Sequence, residues 1–265
     1  MTRRLLGLRR GQLAGLVLIA ALVCFALLEG LLHGADPASQ DLANPFAGPS
    51  LSEPLGTDQY GRSMLARLAA AVRLSLALSL LCVVTSATIG VAMGVVAGWR
   101  QGLLDKCMSL LLNIALALPG LVLVLLFASL APGSFLMLYV GISAVLWVEY
   151  FRVVRAITRR VAASPQVQAS RMLGFGALYC VRRHLWPAIV GPVLTLAAFG
   201  ASASILALAA LGFIAVGLRP PTAELGLMMV ELFPYYNEAP WVLAQPILAV
   251  FLLVLGLNLL AGGEE

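Results

Sequence analysis

The side chains that perform most protein chemistry are scarce in this sequence and are not spaced for catalysis. There is one lysine, Lys106, and there are two histidines, His33 and His184. No GxxxxGK[ST] phosphate loop, HExxH zinc motif or GxSxG nucleophile motif occurs, and no Cys/His dyad can be built. The cysteines are Cys24, Cys82, Cys107 and Cys180. Because they form no CxxC pair, they indicate neither a zinc site nor a disulfide framework. We therefore predict no catalytic, metal-binding or cofactor-binding residue in this chain.

The composition points to a membrane protein. Hydrophobic residues make up 61% of the 265 residues, charged residues 11%, and the mean hydropathy is +0.98. Soluble domains carry about 25% charged residues. The long apolar stretches lack a polar stripe at helical spacing, which excludes an ordinary soluble helical protein. The net charge of +5 comes from basic residues at the ends of these stretches. We therefore predict no nucleic-acid partner.

Hydropathy predicts an all-α polytopic membrane protein with six transmembrane helices. The predicted spans are 13–32, 74–99, 108–130, 135–150, 188–211 and 241–260. Residues 63–73 fit an interfacial helix that leads into the second span. The Pro119-Gly120 pair predicts a kink in the third span.

The basic residues predict the orientation. With residues 1–12 and 261–265 inside, segments 33–73 and 212–240 lie outside, and the membrane core with the other five spans covers 74–260. All basic residues then fall inside except Arg62, Arg67, Arg73 and Arg219. This agrees with the rule that Lys and Arg in short loops resist translocation.

Two acidic residues, Glu29 and Glu149, lie within predicted spans but near their ends. Glu149 precedes Arg152 by one helical turn, so we expect an ordinary ion pair between them. No carboxylate is predicted at the middle of the bilayer, where a proton-coupled carrier would need one. The energy for any transport is therefore expected to come from a partner.

The basic segment 152–187 is the longest polar interval in the second half of the chain. Ser164-Pro165 predicts a helix start, with Ser164 as the cap. Gly174 marks a chain reversal for which positive φ is easiest, after which helix resumes until Pro187. We predict a docking loop on the cytoplasmic side. Its arginines are Arg152, Arg155, Arg159, Arg160, Arg171, Arg182 and Arg183.

Within this loop, Gln168-Ala169-Ser170, Gly174 and Pro187 resemble the EAA-x3-G loop of ABC importer permeases. In that family the loop inserts a short helix into a groove of an ATPase subunit. Gln168 stands where the family has Glu, and Ser170 where it has the second Ala, which predicts a groove less dependent on a carboxylate. The residues to which the resemblance assigns ATPase coupling are Gln168, Ala169, Ser170, Arg171, Gly174, Arg182, Arg183 and Pro187.

Three further stretches resemble the dipeptide, oligopeptide and nickel permeases. Residues 55–62 resemble their LGTDxxGRD signature, with Ser63 in place of the final Asp. Residues 117–120 resemble their ALPG segment, and residues 211–222 resemble their outer SFLGLGxxPP loop. The signature positions are Leu55, Gly56, Thr57, Asp58, Gly61, Arg62, Pro119, Gly120, Pro220 and Pro221.

The resemblance implies a type I ABC importer permease (MetI-like) fold and a multi-pass place in a bacterial inner membrane. It implies the second, C-type permease of a heterodimer, served by two ABC ATPases that carry ATP and Mg²⁺. A periplasmic or lipid-anchored solute-binding protein would deliver the cargo. Peptides and metal chelates of the nickel or metallophore type both stay open as cargo. The alternatives are a non-transporting scaffold or sensor and a proton-coupled secondary carrier.

Overall fold

The computed structural model describes residues 10–32 and 34–262. Residues 1–9 of the predicted N-terminal segment, His33 and residues 263–265 of the predicted tail lie outside the described residues. Within the described ranges the chain is helical, and its single β-bridge joins Thr57 to Ser63. The α-helices are α1 Arg10–Leu32, α2 Met64–Arg100, α3 Gly102–Leu116, α4 Gly120–Leu130, α5 Phe135–Ala162, α6 Pro165–Met172, α7 Ala177–Cys180, α8 Trp186–Phe213, α9 Leu225–Leu232 and α10 Pro240–Ala261.

Five helical runs of the described chain are long and apolar enough to cross a membrane, and a bent pair can supply a sixth crossing. The bent pair is α3 and α4, which meet at 80°. The kink predicted at Pro119-Gly120 is therefore a full break between two helices. Pro119 lies at the break because it has no N–H to donate and its ring clashes with the preceding turn. It adopts an extended ψ of 133° at the N-cap of α4.

The second span is longer than predicted. α2 is one helix of 37 residues, so a separate interfacial helix at 63–73 is wrong. Ser63 begins this helix, and its hydroxyl accepts a hydrogen bond from the amide of Ala66. The first turns of α2 are fully buried at Met64 and Val72 against α9, α10 and the adjoining loops. This burial, rather than contact with the membrane surface, explains why the helix continues through 63–73.

A ridge of glycines on α2 carries the main helix contact of the fold. Gly90, Gly94 and Gly98 recur at every fourth residue and share one face of the helix. A Cβ at Gly90 would lie 2.6 Å from the carbonyl oxygen of Trp147, and one at Gly98 would lie 2.6 Å from Cβ of Thr158. Small residues at this spacing let two helix backbones approach closely inside a membrane. α5 therefore lies directly against α2.

Ion pairs fix two further helix contacts. Asp105 in the first turn of α3 bonds both Arg155 and Arg159 of α5. This contact accompanies the continuation of α5 to Ala162, twelve residues past the predicted end of the span. At the other end of the bundle, Arg73 of α2 bonds Glu29 and the carbonyl oxygen of Ala26 in α1.

Candidate coupling site and outer charge cluster

The short helix α6 begins where the sequence predicted. Ser164 has extended backbone angles, φ −71° and ψ 148°, and Pro165 occupies the first turn. The expected side-chain cap is wrong, because Ser164 makes no cap hydrogen bond and its buried hydroxyl has no partner among the described residues. Pro165, at the first helical position, lacks an amide that would have no partner within the helix, and its fixed φ starts the helix.

α6 ends at Gly174 in a left-handed turn. Gly174 has φ +84°, as predicted. The amide of Phe175 donates to the carbonyl oxygen of Ser170 at 3.0 Å, and the amide of Gly174 donates to that of Arg171 at 3.0 Å. These two bonds form the Schellman motif, which requires positive φ at this position. Nothing in the described chain lies within 4 Å of a Cβ at Gly174, so backbone conformation alone selects glycine here.

The helix that follows does not end at Pro187, which corrects the sequence prediction. α7 continues through a π-turn, Val181–Leu185, into α8, and Pro187 lies in the first turn of α8. The amide of Trp186 bonds the carbonyl oxygen of Val181, five residues back. This wider turn accommodates the proline ring, which would clash with the carbonyl four residues earlier in a regular α-helix.

One face of α6 is attached to the transmembrane helices. The guanidinium of Arg171 lies 4.6 Å from the ring centroid of Trp99 at the end of α2. The hydroxyl of Ser170 and Nε2 of His184 are 2.9 Å apart, which joins α6 to the π-turn before α8. Val167 is fully buried beneath the helix. Ser170 and Arg171, predicted to contact an ATPase, thus contact their own chain.

The other face of α6 and the turn after it are exposed and largely apolar. Met172 is 87% exposed and Leu173 77% exposed, and Leu178 in α7 is 81% exposed. Gln168 and Ala169 are exposed on α6, as are Arg182, Arg183 and Pro187 in the following helix. A polar protein surface rarely leaves such side chains uncovered, so this face fits a protein partner.

At the opposite end of the molecule, the signature loop 55–62 is folded tightly. Gly56 has φ +77° and Gly61 has φ +67°. A Cβ at Gly56 would overlap the carbonyl oxygen of Ala47, and one at Gly61 would overlap that of Asp41. The Thr57 hydroxyl accepts from the amide of Ala47 at 2.8 Å and donates to the carbonyl of Asn44 at 2.7 Å. These residue types are therefore explained by the fold of the loop.

The loop closes on a buried group of charges that we name the outer cluster: Asp58, Arg62, Arg67 and Glu231. Arg62 bonds Asp58 at 2.5 Å and Glu231 at 2.9 Å. Arg67 bonds Glu231 at 2.7 Å and lies 3.4 Å from Asp58. Asp58, Arg62 and Arg67 are 1–2% exposed. The cluster has two charges of each sign and is neutral overall. Its ion pairs join Asp58 and Arg62 of the loop to Arg67 of α2 and Glu231 of α9.

A second carboxylate supports the same region. Glu224 caps α9 by accepting hydrogen bonds from the amides of Gly226 at 2.9 Å and Leu227 at 2.7 Å. Burial raises the pKa of this carboxyl, and the two backbone amides oppose the shift. On the exposed surface nearby, the side-chain hydrogen bond from Asn44 lowers the pKa of Asp41.

The remaining signature residues lie apart from the loop in sequence. Pro119 and Gly120 form the break between α3 and α4. Pro220 and Pro221 lie between α8 and α9, joined by a cis peptide bond.

Two features of these sites were missed by the sequence reasoning. The sequence assigned no role to Glu231, whose partners Arg62 and Arg67 lie in the signature loop and just after it. The every-fourth-residue spacing of Gly90, Gly94 and Gly98 was also available as a signal. The expected ion pair between Glu149 and Arg152 is wrong, because no salt bridge joins them in the described chain. The described residues contain no group of three or more His, Cys, Asp or Glu able to hold a metal ion.

Residues 90–262 match the family described as the inner membrane component of binding-protein-dependent transport systems. Together with the helical fold, this match shows that the chain belongs to the ABC importer permeases of the dipeptide type. The dipeptide transport system permease protein DppC of Escherichia coli K12 is 35% identical to it over 96% of this chain and 87% of that protein. The di/tripeptide permease protein DppC of Pseudomonas aeruginosa is 34% identical over 96% and 86%. The DppC protein of Haemophilus influenzae is 31% identical over 96% and 88%.

Proposed function

We propose that this chain is one of two permease subunits in an ATP-driven importer of short peptides. One observation carries the proposal within the family: α6 is attached to the transmembrane helices by one face and exposes an apolar surface on the other. We place this end of the molecule in the cytoplasm, because Arg-rich loops resist translocation. The N-terminus then lies in the cytoplasm of a bacterial inner membrane, and the outer cluster faces the periplasm.

In this proposal an ATPase subunit covers the exposed face of α6, and a second ATPase serves the partner permease. The attached face gives the coupling route. Motion of α6 is passed to α2 through Arg171 and Trp99, and to α8 through Ser170 and His184. Rigid-body movement of helices linked by such contacts is a common way to convert closure at one site into opening at another.

The chain supplies no chemistry of its own in this mechanism. It carries no phosphate-binding loop, so ATP and Mg²⁺ belong to the ATPase partners. A periplasmic or lipid-anchored solute-binding protein docks on the outer side and delivers the cargo.

Short peptides are the proposed cargo because the three relatives are named for dipeptide or di/tripeptide transport. Metal chelates are the competing cargo, and transport assays with the two kinds of compound distinguish them.

The test is purification of the chain in mild detergent followed by reconstitution. We expect a second permease and two ATP-binding subunits to co-elute, and peptide uptake to stop on ATP depletion but to survive an uncoupler. Absence of ATPase subunits from an intact assembly favours the scaffold or sensor. Loss of uptake with an uncoupler alone favours the proton-driven carrier.

Substitution at Gly174 tests the coupling role. Gly174→Leu forces a side chain into left-handed backbone at a cost of about 1–2 kcal/mol, and we expect it to lower the ATP hydrolysis that cargo stimulates. Gly176→Leu is the matched control, because Gly176 has φ −71° and the same open surroundings. Normal stimulated hydrolysis in an assembled Gly174→Leu complex would contradict this role.

A further inference from the structure

One side of α5 carries two charged residues without partners. Glu149 and Arg152 are both exposed. Neither forms a hydrogen bond or ion pair with any described residue. They lie one helical turn apart and therefore share a side of the helix. The opposite side of α5, at Tyr150, Phe151 and Val154, is buried.

These charges lie at the end of the span predicted over 135–150, next to the arginine-rich continuation of α5. At 1.5 Å per residue, Glu149 is about 21 Å and Arg152 about 26 Å from the start of the helix at Phe135. The hydrocarbon core is about 30 Å thick. An unpaired charge beside the hydrocarbon core is costly in lipid, so such residues face a water-filled cavity or a transport pathway.

A cavity of about 570 Å³ opens at this place between α3, α5 and α8. Its volume falls in the range of about 300–1,000 Å³ that is usual for small-molecule sites. Glu149, Arg152 and Arg155 give it polar groups, whereas Leu112 and Leu196 form apolar walls. Arg155 already bonds Asp105 at 3.0 Å. The two unpaired charges in the cavity are therefore one carboxylate and one guanidinium.

We infer that this cavity is a binding station in the transport pathway for the two termini of a short peptide, with Arg152 taking the α-carboxylate and Glu149 the α-ammonium. This inference rests on the proposed function and adds a site to it. Residues one turn apart on a helix have Cβ atoms about 5–6 Å apart. Two extended residues of peptide span roughly 7 Å. The side chains of Glu149 and Arg152 can thus reach both ends of one dipeptide, while the apolar walls accept varied side chains.

The test uses the complete transporter with its ATPases and binding protein in proteoliposomes. For Glu149→Gln and Arg152→Gln we expect dipeptide uptake at saturating loaded binding protein to fall about tenfold or more. Each variant loses one charge-assisted hydrogen bond to the peptide, and a loss of that size corresponds to such a change. ATP hydrolysis stimulated by the loaded binding protein should stay within about twofold of wild type, because neither residue contacts α6. Lys106→Gln, which changes an exposed charge on α3 that does not line the cavity, is the matched control and should leave both rates unchanged.

A second measurement does not depend on the variants. A dipeptide carrying a photoreactive diazirine is cross-linked to the wild-type complex during turnover, and labelled peptides are mapped by mass spectrometry. Labelling within residues 149–156 or at Leu196 is expected. Unchanged uptake in both variants, or labelling confined to other parts of the complex, overturns the site while peptide transport itself stands. Failure of the wild-type complex to take up any peptide overturns the proposed function instead.

Discussion

Replacing Asp58 by asparagine tests whether the outer cluster holds the outer loop in place. Asp58 accepts hydrogen bonds from the amides of Tyr60 and Arg62, both at 2.9 Å, and faces the guanidinium groups of Arg62 and Arg67. Asparagine keeps the shape of the side chain. It removes the charge and replaces one oxygen by an NH₂ group. That group must face either the two backbone amides or the guanidiniums, and both of these are donors that need an acceptor opposite them.

The magnitude follows from the charge balance. The cluster holds two acids and two bases, and Asp58 is 1% exposed, so the variant leaves one excess buried positive charge. Breaking a buried ion pair by removing one partner costs about 3–5 kcal/mol. If the cost falls on the local opening of the loop, the opening equilibrium rises about 100- to 4,000-fold.

Hydrogen exchange measured by mass spectrometry reports this opening directly. Three backbone bonds of the loop serve as reporters: the amides of Asp41, Phe46 and Thr57 donate to the carbonyls of Tyr60, Asp58 and Ala47. We expect these amides to exchange faster in Asp58→Asn, while the transmembrane helices keep their protection.

The control is Asp36→Asn, at an exposed aspartate of the same outer segment whose side chain accepts a hydrogen bond from Ala38 alone. The double variant Asp58→Asn/Arg67→Met removes one charge of each sign and should recover part of the protection. Equal exchange in Asp58→Asn and Asp36→Asn would refute the reasoning, since the buried charges would then contribute nothing to the loop.

Three further substitutions test other contacts: two test the close packing of helices at glycines, and the third tests the attachment of α6 to α2. Gly90→Ala should lower the thermal stability of the purified complex by about 1–3 kcal/mol, because its Cβ meets the backbone of α5. Gly191→Ala is the control and should not lower the stability, because no atom lies within 4 Å of the added Cβ. An equal loss of stability in both variants would contradict the close packing of α2 on α5 at Gly90. Gly226→Ala should speed exchange in α9, because its Cβ overlaps the carbonyl of Ala209; unchanged exchange refutes this contact. Trp99→Leu removes a cation–π contact of about 0.5–1 kcal/mol and should raise exchange in α6 about two- to fivefold. No change there means that Arg171 is held by other contacts.

The sequence allowed the prediction of features that depend on local rules. Hydropathy located the five unbroken helices that can cross a membrane, because lipid forces each crossing to be long and apolar. Gly174 was predicted as a left-handed turn because few other residues accept positive φ. These inferences needed no knowledge of neighbouring helices.

Features that depend on partners distant in sequence were not predictable in the same way. Pro187 is a helix breaker by local rules, but the π-turn before it lets the helix continue. Pro119 suggested a kink, and the 80° break depends on how α4 packs against α5. Glu231 is 164 residues from Arg67, so no local pattern links them. The outer cluster therefore became visible only once α9 was placed beside α2.

The length of α2 has a mechanical consequence. The same continuous helix carries Arg67, a member of the outer cluster, near its beginning and Trp99, the contact of Arg171, near its end. These residues are about 48 Å apart at 1.5 Å per residue. A tilt of 5° would shift one end relative to the other by about 4 Å, more than the length of a hydrogen bond. A force applied at the tip that carries Arg67 and a force applied at the tip that carries Trp99 therefore act on one helix.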